Sequence, residues 1–126
     1  MFDDAIAANQ AFYDAHEQRD LDAMSAVWSH GDDVVCIHPG WPILRTWRMV
    51  EQSWRQIFAG PGRNQFIITN HAVAGDDDVV WMTLDENLMQ GEVAGTVAAT
   101  NVFVRTDDGW KMVLHQGSPV MTQLSY

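Results

Sequence analysis

The sequence predicts an α+β fold in which N-terminal helices pack on a curved antiparallel sheet, together shaping a cone. Three observations carry this prediction. Through roughly the first sixty positions, apolar residues recur at three- and four-residue steps, the period of a helix with one buried face. Beyond them the chain turns to long runs rich in Val, Ile, Thr and aromatics, the residues that suit a pleated surface. Short turn-forming links join those runs, and such links connect antiparallel neighbours, whereas parallel ones need long crossovers. Helices first and strands afterwards is the α+β order.

Each element has its own signals. Asp3 or Asp4 can cap a first helix, and their charges suit its positive end. Phe2, Ala5, Ile6, Phe12 and Tyr13 form its apolar stripe, which Arg19-Asp20 breaks. Asp20 then reads as the cap of a short second helix with Leu21, Met24, Val27 and Trp28 on one face. Ser29-His30-Gly31-Asp32 is a turn, and Asp33 to His38 a short, mostly buried strand ended by Pro39-Gly40. Thr46 can cap a third helix carrying Trp47, Val50, Trp54, Ile57 and Phe58, ended by Ala59-Gly60-Pro61-Gly62. Four strands follow: Phe66 to Val73, Val79 to Met89, Val93 to Thr106 and Trp110 to Gln116. Ala74-Gly75-Asp76-Asp77, Gln90-Gly91-Glu92 and Asp107-Asp108-Gly109 link them as hairpins.

Composition narrows the function classes. The 126 residues fit one domain, 1–126, and a 47% hydrophobic share with 19% charged residues suits a packed core. Seven basic against seventeen acidic residues give a formal charge of −10. Such a surface repels phosphate backbones and anionic headgroups, so neither nucleic acid nor membrane is an expected partner. The run Asp76-Asp77-Asp78 reads as a solvated hairpin tip. The lone Cys36, set among Val34, Val35 and Ile37, reads as a buried core residue, and it excludes an internal disulfide and a multi-cysteine zinc site. The N-terminus lacks a signal-peptide pattern and no run of about 18 apolar residues occurs, so a cytoplasmic location is expected. Phosphate-binding glycine loops and nucleophile elbows are missing, and no ligand spacing for a metal is recognisable, so neither metal nor cofactor is expected.

Several stretches have a family likeness. Arg19-Asp20-Leu21-Asp22, then Trp28 and the acidic turn, is one. Cys36-Ile37-His38-Pro39-Gly40-Trp41-Pro42, followed by Trp47 and Ser53-Trp54, is another. Thr100 to Arg105, Gly109 to Val113, and His115 through Ser118-Pro119 complete the set. In the order helix, helix, strand, helix, meander, the chain resembles the nuclear transport factor 2-like superfamily and its SnoaL-like branch. The resemblance implies a cystatin-like cone around an apolar pocket. The fold hosts isomerases, cyclases, dehydratases and plain binding or assembly modules, so it does not by itself name an activity.

His38 is the first candidate for chemistry. In the superfamily's ketosteroid isomerases the matching stretch holds an aspartate-proline pair whose carboxylate removes a proton α to a carbonyl; here the pair is His38-Pro39. An imidazole, with an ordinary pKa of about 6.5, can shuttle a proton near neutrality. The plainer role is a strand-end histidine bonded to backbone. Asn101 falls near the acid of the isomerase oxyanion hole, and its amide can donate to a substrate oxygen or simply be satisfied by a neighbouring strand or helix. Tyr13, or its neighbour Phe12, lies where those isomerases place a second donor; a core role for Tyr13 is the simpler one. Trp41, Trp54 and Phe103 are candidates for the pocket wall. His115 and Gln116 point to opposite faces, and the sequence leaves open which points inward.

Two functions of different class follow. One is a cofactor-free enzyme or enzyme-like protein acting on a small hydrophobic carbonyl compound, with His38 as general acid/base and Asn101 as oxyanion donor. The other is a non-catalytic pocket or assembly module whose outer sheet face, with Val102, Val104 and Val113, pairs two copies into a homodimer.

Overall fold

In the computed structural model, which describes residues 1–122, α1 (Asp3–Gln18) and α2 (Leu21–Val27) form a helical hairpin. Its corner is built by two adjacent residues. Arg19 closes α1 in the left-handed region (φ 56°), with its N–H on the His16 carbonyl. Asp20 then caps α2, accepting from Ala23 N at 3.0 Å. The start of α1 departs from expectation: Phe2 occupies the cap position without a side-chain bond, and Asp3 and Asp4 lie in the first turn, where their charges face the positive helix end. The stripe is also narrower than predicted. Ile6 is 38% exposed, while Asn9, a polar residue, is buried.

The first strand shrinks to β1 (Val35–Ile37), and a two-residue strand the sequence did not signal, β2 (Leu44–Arg45), pairs back on it. Next comes α3 (Thr46–Ala59). Arg45 occupies the cap position without a side-chain bond, and Thr46, the first helical residue at an unusual φ of 70°, accepts from Met49 N at 3.3 Å. The Arg19 guanidinium crosses from the helical corner to the far end of α3 and donates to the Ile57, Phe58, Gly60 and Gly62 carbonyls. One cation thereby satisfies the acceptors that the helix end leaves open.

Strands β3 (Gln65–Gly75), β4 (Val79–Gln90), β5 (Val93–Thr106) and β6 (Gly109–Pro119) form the expected meander, each pair antiparallel. The complete order is β2-β1-β6-β5-β4-β3. A parallel strand pair, β1 on β6, sets Cys36 opposite His115 and Ile37 opposite Gln116. Hairpin turns alone do not reveal that long-range pairing. It sets the end of β1, which leads into His38, beside His115 and Gln116 of β6.

Strand alternation separates two faces. Inward lie Val80, Met82 and Leu84 of β4 with Ala99 and Phe103 of β5, packed on Phe12, Tyr13, Met24, Trp28 and Trp54 of the helical layer. Cys36 is fully buried among them, as expected. The outer face carries a register row Ala74, Trp81, Val102, Leu114 and Val35 across five strands. Trp81 is 48% exposed, and Ile67, farther along the sheet where it pairs with Asn87, is 64% exposed. Val102 and Val104 are half-buried, whereas Val113, at the bulge in β6, packs against the core instead of joining this surface. No helix among the described residues is long and apolar enough to cross a membrane.

Candidate functional site

Pro39 and Gly40 hold His38 at the rim of the sheet. The Trp41 N–H bonds the His38 carbonyl at 2.9 Å, with Pro39 and Gly40 as the central residues of a tight turn and Gly40 at φ 84°. A positive φ at the third turn position is what glycine supplies without steric cost. The turn folds the Trp41 ring edge-on to the His38 ring, with centroids 4.8 Å apart, and Trp54 of α3 meets His38 from another side at 4.7 Å. Gly117 of β6 makes room for the turn, since a Cβ there would lie 3.1 Å from Pro39 Cγ.

Behind this rim is a cavity of about 220 Å³. Trp41, Trp54, Phe66 and Leu88 form most of its apolar wall, and four titratable side chains face it: His16, His38, Glu86 and His115. Burial governs all four. It lowers His38 and His16 to about 4, with the charge of His38 adding to the effect on His16. It lowers His115 to about 3, with smaller contributions from His38 and His16. All three imidazoles are therefore neutral at neutral pH. Burial acts on Glu86 in the opposite sense and pushes its carboxyl up to about 7, against a smaller lowering by its hydrogen bond from Tyr13. Cys36, 3.7–3.8 Å from the His38 ring nitrogens, has its thiol pushed up by burial and by Glu86, so it stays protonated.

Hydrogen bonds fix these groups in place. The Ser53 hydroxyl donates to the Val50 carbonyl at 2.6 Å, so its oxygen accepts from His38 Nε2–H at 2.8 Å. The lone pair of His38 is then on Nδ1, with the Cys36 sulfur 3.8 Å away. Tyr13 donates its phenolic hydrogen to Glu86 Oε2 at 2.6 Å, and burial and the Glu86 charge both raise the phenol's pKa. Asn101 donates to Tyr13 Oη at 3.1 Å and to Asn9 Oδ1 at 2.8 Å, while its Oδ1 accepts from His115 Nδ1 at 2.6 Å. One buried network thus links Glu86 to His115 through Tyr13 and Asn101. The indole Nε1 of Trp54 is buried without a hydrogen-bond partner among the described residues, although its ring lines the cavity. An unmet donor of this kind costs about 1–3 kcal/mol unless a ligand or water accepts from it.

The sequence candidates separate into two groups. His38, Trp41, Trp54 and His115 line the cavity. Asn101 is fully buried with both ends of its amide bonded to protein, so it stands behind the wall and is not free to meet a substrate oxygen. Tyr13 reaches the cavity only through Glu86, and Phe103 is a fully buried core residue outside the lining. Gln116 lies on the opposite face, bonded to the Ser118 hydroxyl, which leaves His115 as the inward member of the pair. Glu86 and His16 went unpredicted. For Glu86 the signal was available: it continues the inward series Val80, Met82, Leu84 toward Leu88, where a carboxylate is costly to bury. His16 lies one helical turn beyond Tyr13, on the same side of α1.

The comparisons with known proteins agree with this architecture. The crystal structure of a "putative dehydratase from the NTF2-like family" of Streptomyces avermitilis superposes with a TM-score of 0.89 at 37% identity, covering 95% of this chain and 96% of that one. A "putative calcium/calmodulin-dependent protein kinase type II association domain" from Thiobacillus denitrificans is 41% identical with a TM-score of 0.84, covering 91% of this chain and 94% of that one. The F-box protein SKIP8 of Arabidopsis thaliana is 28% identical over 116 residues, 92% of this chain; the chain spans about half, 49%, of that relative's length. The family model of the SnoaL-like domain matches residues 6–122, and the chain belongs to this family, within the NTF2-like superfamily.

Proposed function

We propose that the cavity binds a small, largely apolar carbonyl compound and transfers a proton at the carbon next to its carbonyl. The observation that carries this reading is Glu86: a carboxyl held as an acid to about pH 7, facing neutral imidazoles inside an aromatic-walled cavity. Groups whose proton affinities are pushed apart by their surroundings are the usual material of acid–base catalysis. His38, neutral above about pH 4, is the base, with its lone pair on Nδ1. Glu86 accepts from Tyr13 on Oε2, so its own proton resides on Oε1 and is available to the substrate oxygen as negative charge develops there. The proton that His38 takes returns to the substrate, to the same carbon in exchange or to another atom in isomerisation, and Glu86 keeps its own proton, so the chain ends unchanged.

In this reading Glu86 holds the oxyanion role that the sequence assigned to Asn101, and Asn101 positions Tyr13 and His115. At about 220 Å³ the cavity is smaller than the roughly 300–1,000 Å³ that accommodate drug-sized ligands, which suits a single-ring compound. Exchange of α-hydrogens of cyclohexanone and cyclohexenone in D₂O, followed by NMR, tests the proposal. The native protein should accelerate exchange, and His38→Ala and Glu86→Gln should each slow it at least tenfold with the fold intact. Native-protein exchange no faster than in buffer refutes it.

A second reading is compatible with the first: the protein is a homodimer paired through its outer sheet face. Its support is the half-exposed Trp81 in the row with Val102 and Leu114, since apolar patches on a monomer's surface commonly mark partner sites.

A further inference from the structure

The hydrogen-bond chain behind the cavity fixes what the far wall can recognise. Its logic starts from the Glu86 carboxylate. An ionised carboxylate only accepts, so Tyr13 Oη, 2.6 Å away, must donate its single hydrogen there. The phenolic oxygen is then an acceptor for whichever Asn101 atom lies 3.1 Å from it, and only the amide nitrogen can donate. With the nitrogen turned toward Tyr13 and Asn9, the amide oxygen faces His115 Nδ1 at 2.6 Å. His115 must therefore carry its hydrogen on Nδ1. Protonation of Glu86 on its other oxygen leaves every link unchanged. The second ring nitrogen, Nε2, is left with a bare lone pair, and His115 makes its one side-chain hydrogen bond among the described residues through Nδ1. The ring itself lines the cavity.

We infer that His115 Nε2 is a specificity contact for a substrate hydroxyl, so that the ligand class is a small hydroxy-carbonyl compound rather than a plain ketone or aldehyde. This rests on the proposed carbonyl site and adds a second anchor to it. The carbonyl meets a donor, Glu86; the hydroxyl meets an acceptor, His115. The cavity lining thus asks for both hydrogen-bond roles. A site that presents a buried acceptor discriminates against analogues without a matching donor, because the acceptor is then left unpaired. As an acceptor, His115 holds the hydroxyl without assisting its departure as water, so the group is read and retained. Asn101 is the positioning residue that sets the tautomer.

The test has two arms. In the first, long-range ¹H–¹⁵N spectra of the native protein report the His115 tautomer directly. The Nδ1–H form is expected. An Nε2–H form means that the Asn101 amide stands the other way round, and it overturns the inference. In the second arm, binding and α-exchange of 3-hydroxycyclohexanone, 3-methoxycyclohexanone and cyclohexanone are compared by NMR. The hydroxy ketone should bind about tenfold tighter than the other two, and His115→Phe should remove that preference, read as the ratio of the affinities of the three ketones within each protein. If cyclohexanone exchanges but no hydroxyl preference exists, or the preference survives His115→Phe, the hydroxyl contact is refuted and the proton-transfer site stands. If the preference is present and lost with His115→Phe while no ketone exchanges, the hydroxyl contact stands and proton transfer falls.

Discussion

Replacing Glu86 with glutamine should make the protein more stable at alkaline pH, and the size of the gain follows from its surroundings. The carboxyl is 4% exposed, and burial raises it from 4.5 to about 7. The folded state therefore holds this proton more tightly than the unfolded chain does. Between about pH 4.5 and 7 the unfolded chain releases it while the folded protein keeps it, so this group's contribution to stability falls as pH rises. Above about pH 7 both states are ionised and the deficit is constant. The rise from 4.5 to about 7 corresponds to about 3 kcal/mol once the deficit is complete. Glutamine keeps the shape, and its amide oxygen accepts from Tyr13 as the carboxylate does. The buried imidazoles titrate in the opposite sense: His38 and His16 (about 4) and His115 (about 3) lie below the ordinary histidine value, so they destabilise as pH falls. Subtracting the native curve from that of Glu86→Gln removes their common contribution. Urea unfolding at pH 5 and pH 8 should give a stability difference that grows by about 2–3 kcal/mol in the variant's favour at the higher pH. A difference that stays constant between these pH values would show that Glu86 does not titrate in this window, and the acid role assigned to it would fail.

Other consequences follow from the same geometry. The second-order rate of α-exchange should rise through about pH 4 as His38 loses its proton and fall through about pH 7 as Glu86 loses its own, a bell measurable by NMR in a buffer series. Asn101→Leu leaves partners on Asn9, Tyr13 and His115 unpaired in the interior and should cost about 2–4 kcal/mol in urea unfolding; a cost near zero would contradict the network. Arg19→Ala strips the α3 terminus of its donor and should cost about 1–2 kcal/mol, with hydrogen exchange accelerated in the last turn of that helix. Light scattering should report a dimer that Trp81→Asp dissociates, and a monomeric native protein at micromolar concentration would remove the outer-face reading.

The fold was legible because its determinants are local. Asp20 before Leu21 and Met24, the break at Gly60-Pro61-Gly62, and the three hairpin links each act within a few residues, and the corresponding elements begin and end close to where those signals lie. What escaped were long-range pairings. The parallel docking of β1 on β6 and the short return strand β2 depend on segments some eighty residues apart or on very few residues. The site was legible in the same uneven way. His38, Trp41 and Trp54 stand in a motif whose turn chemistry is visible, and the Pro39-Gly40 corner does bring them together. Glu86 was hidden because a glutamate in a strand ordinarily faces water, and only counting alternation from Val80 exposes it as inward. Asn101 stood out as a polar residue among apolar ones, which marks burial; whether its amide meets a substrate or three protein partners is decided by Asn9, Tyr13 and His115, all distant or ambiguous in sequence.

The proton transfer proposed for the cavity requires a carboxylic acid that persists to neutral pH inside it. Selective ¹³C labelling of glutamate, with the Glu86 carboxyl followed by NMR from pH 4 to 9 and assigned by its loss in Glu86→Gln, measures that property without any substrate. A midpoint near 7 is the result expected. A midpoint near the ordinary 4.5 would mean that water reaches the carboxyl freely, and the protonated donor on which the proposed chemistry depends would not exist at neutral pH.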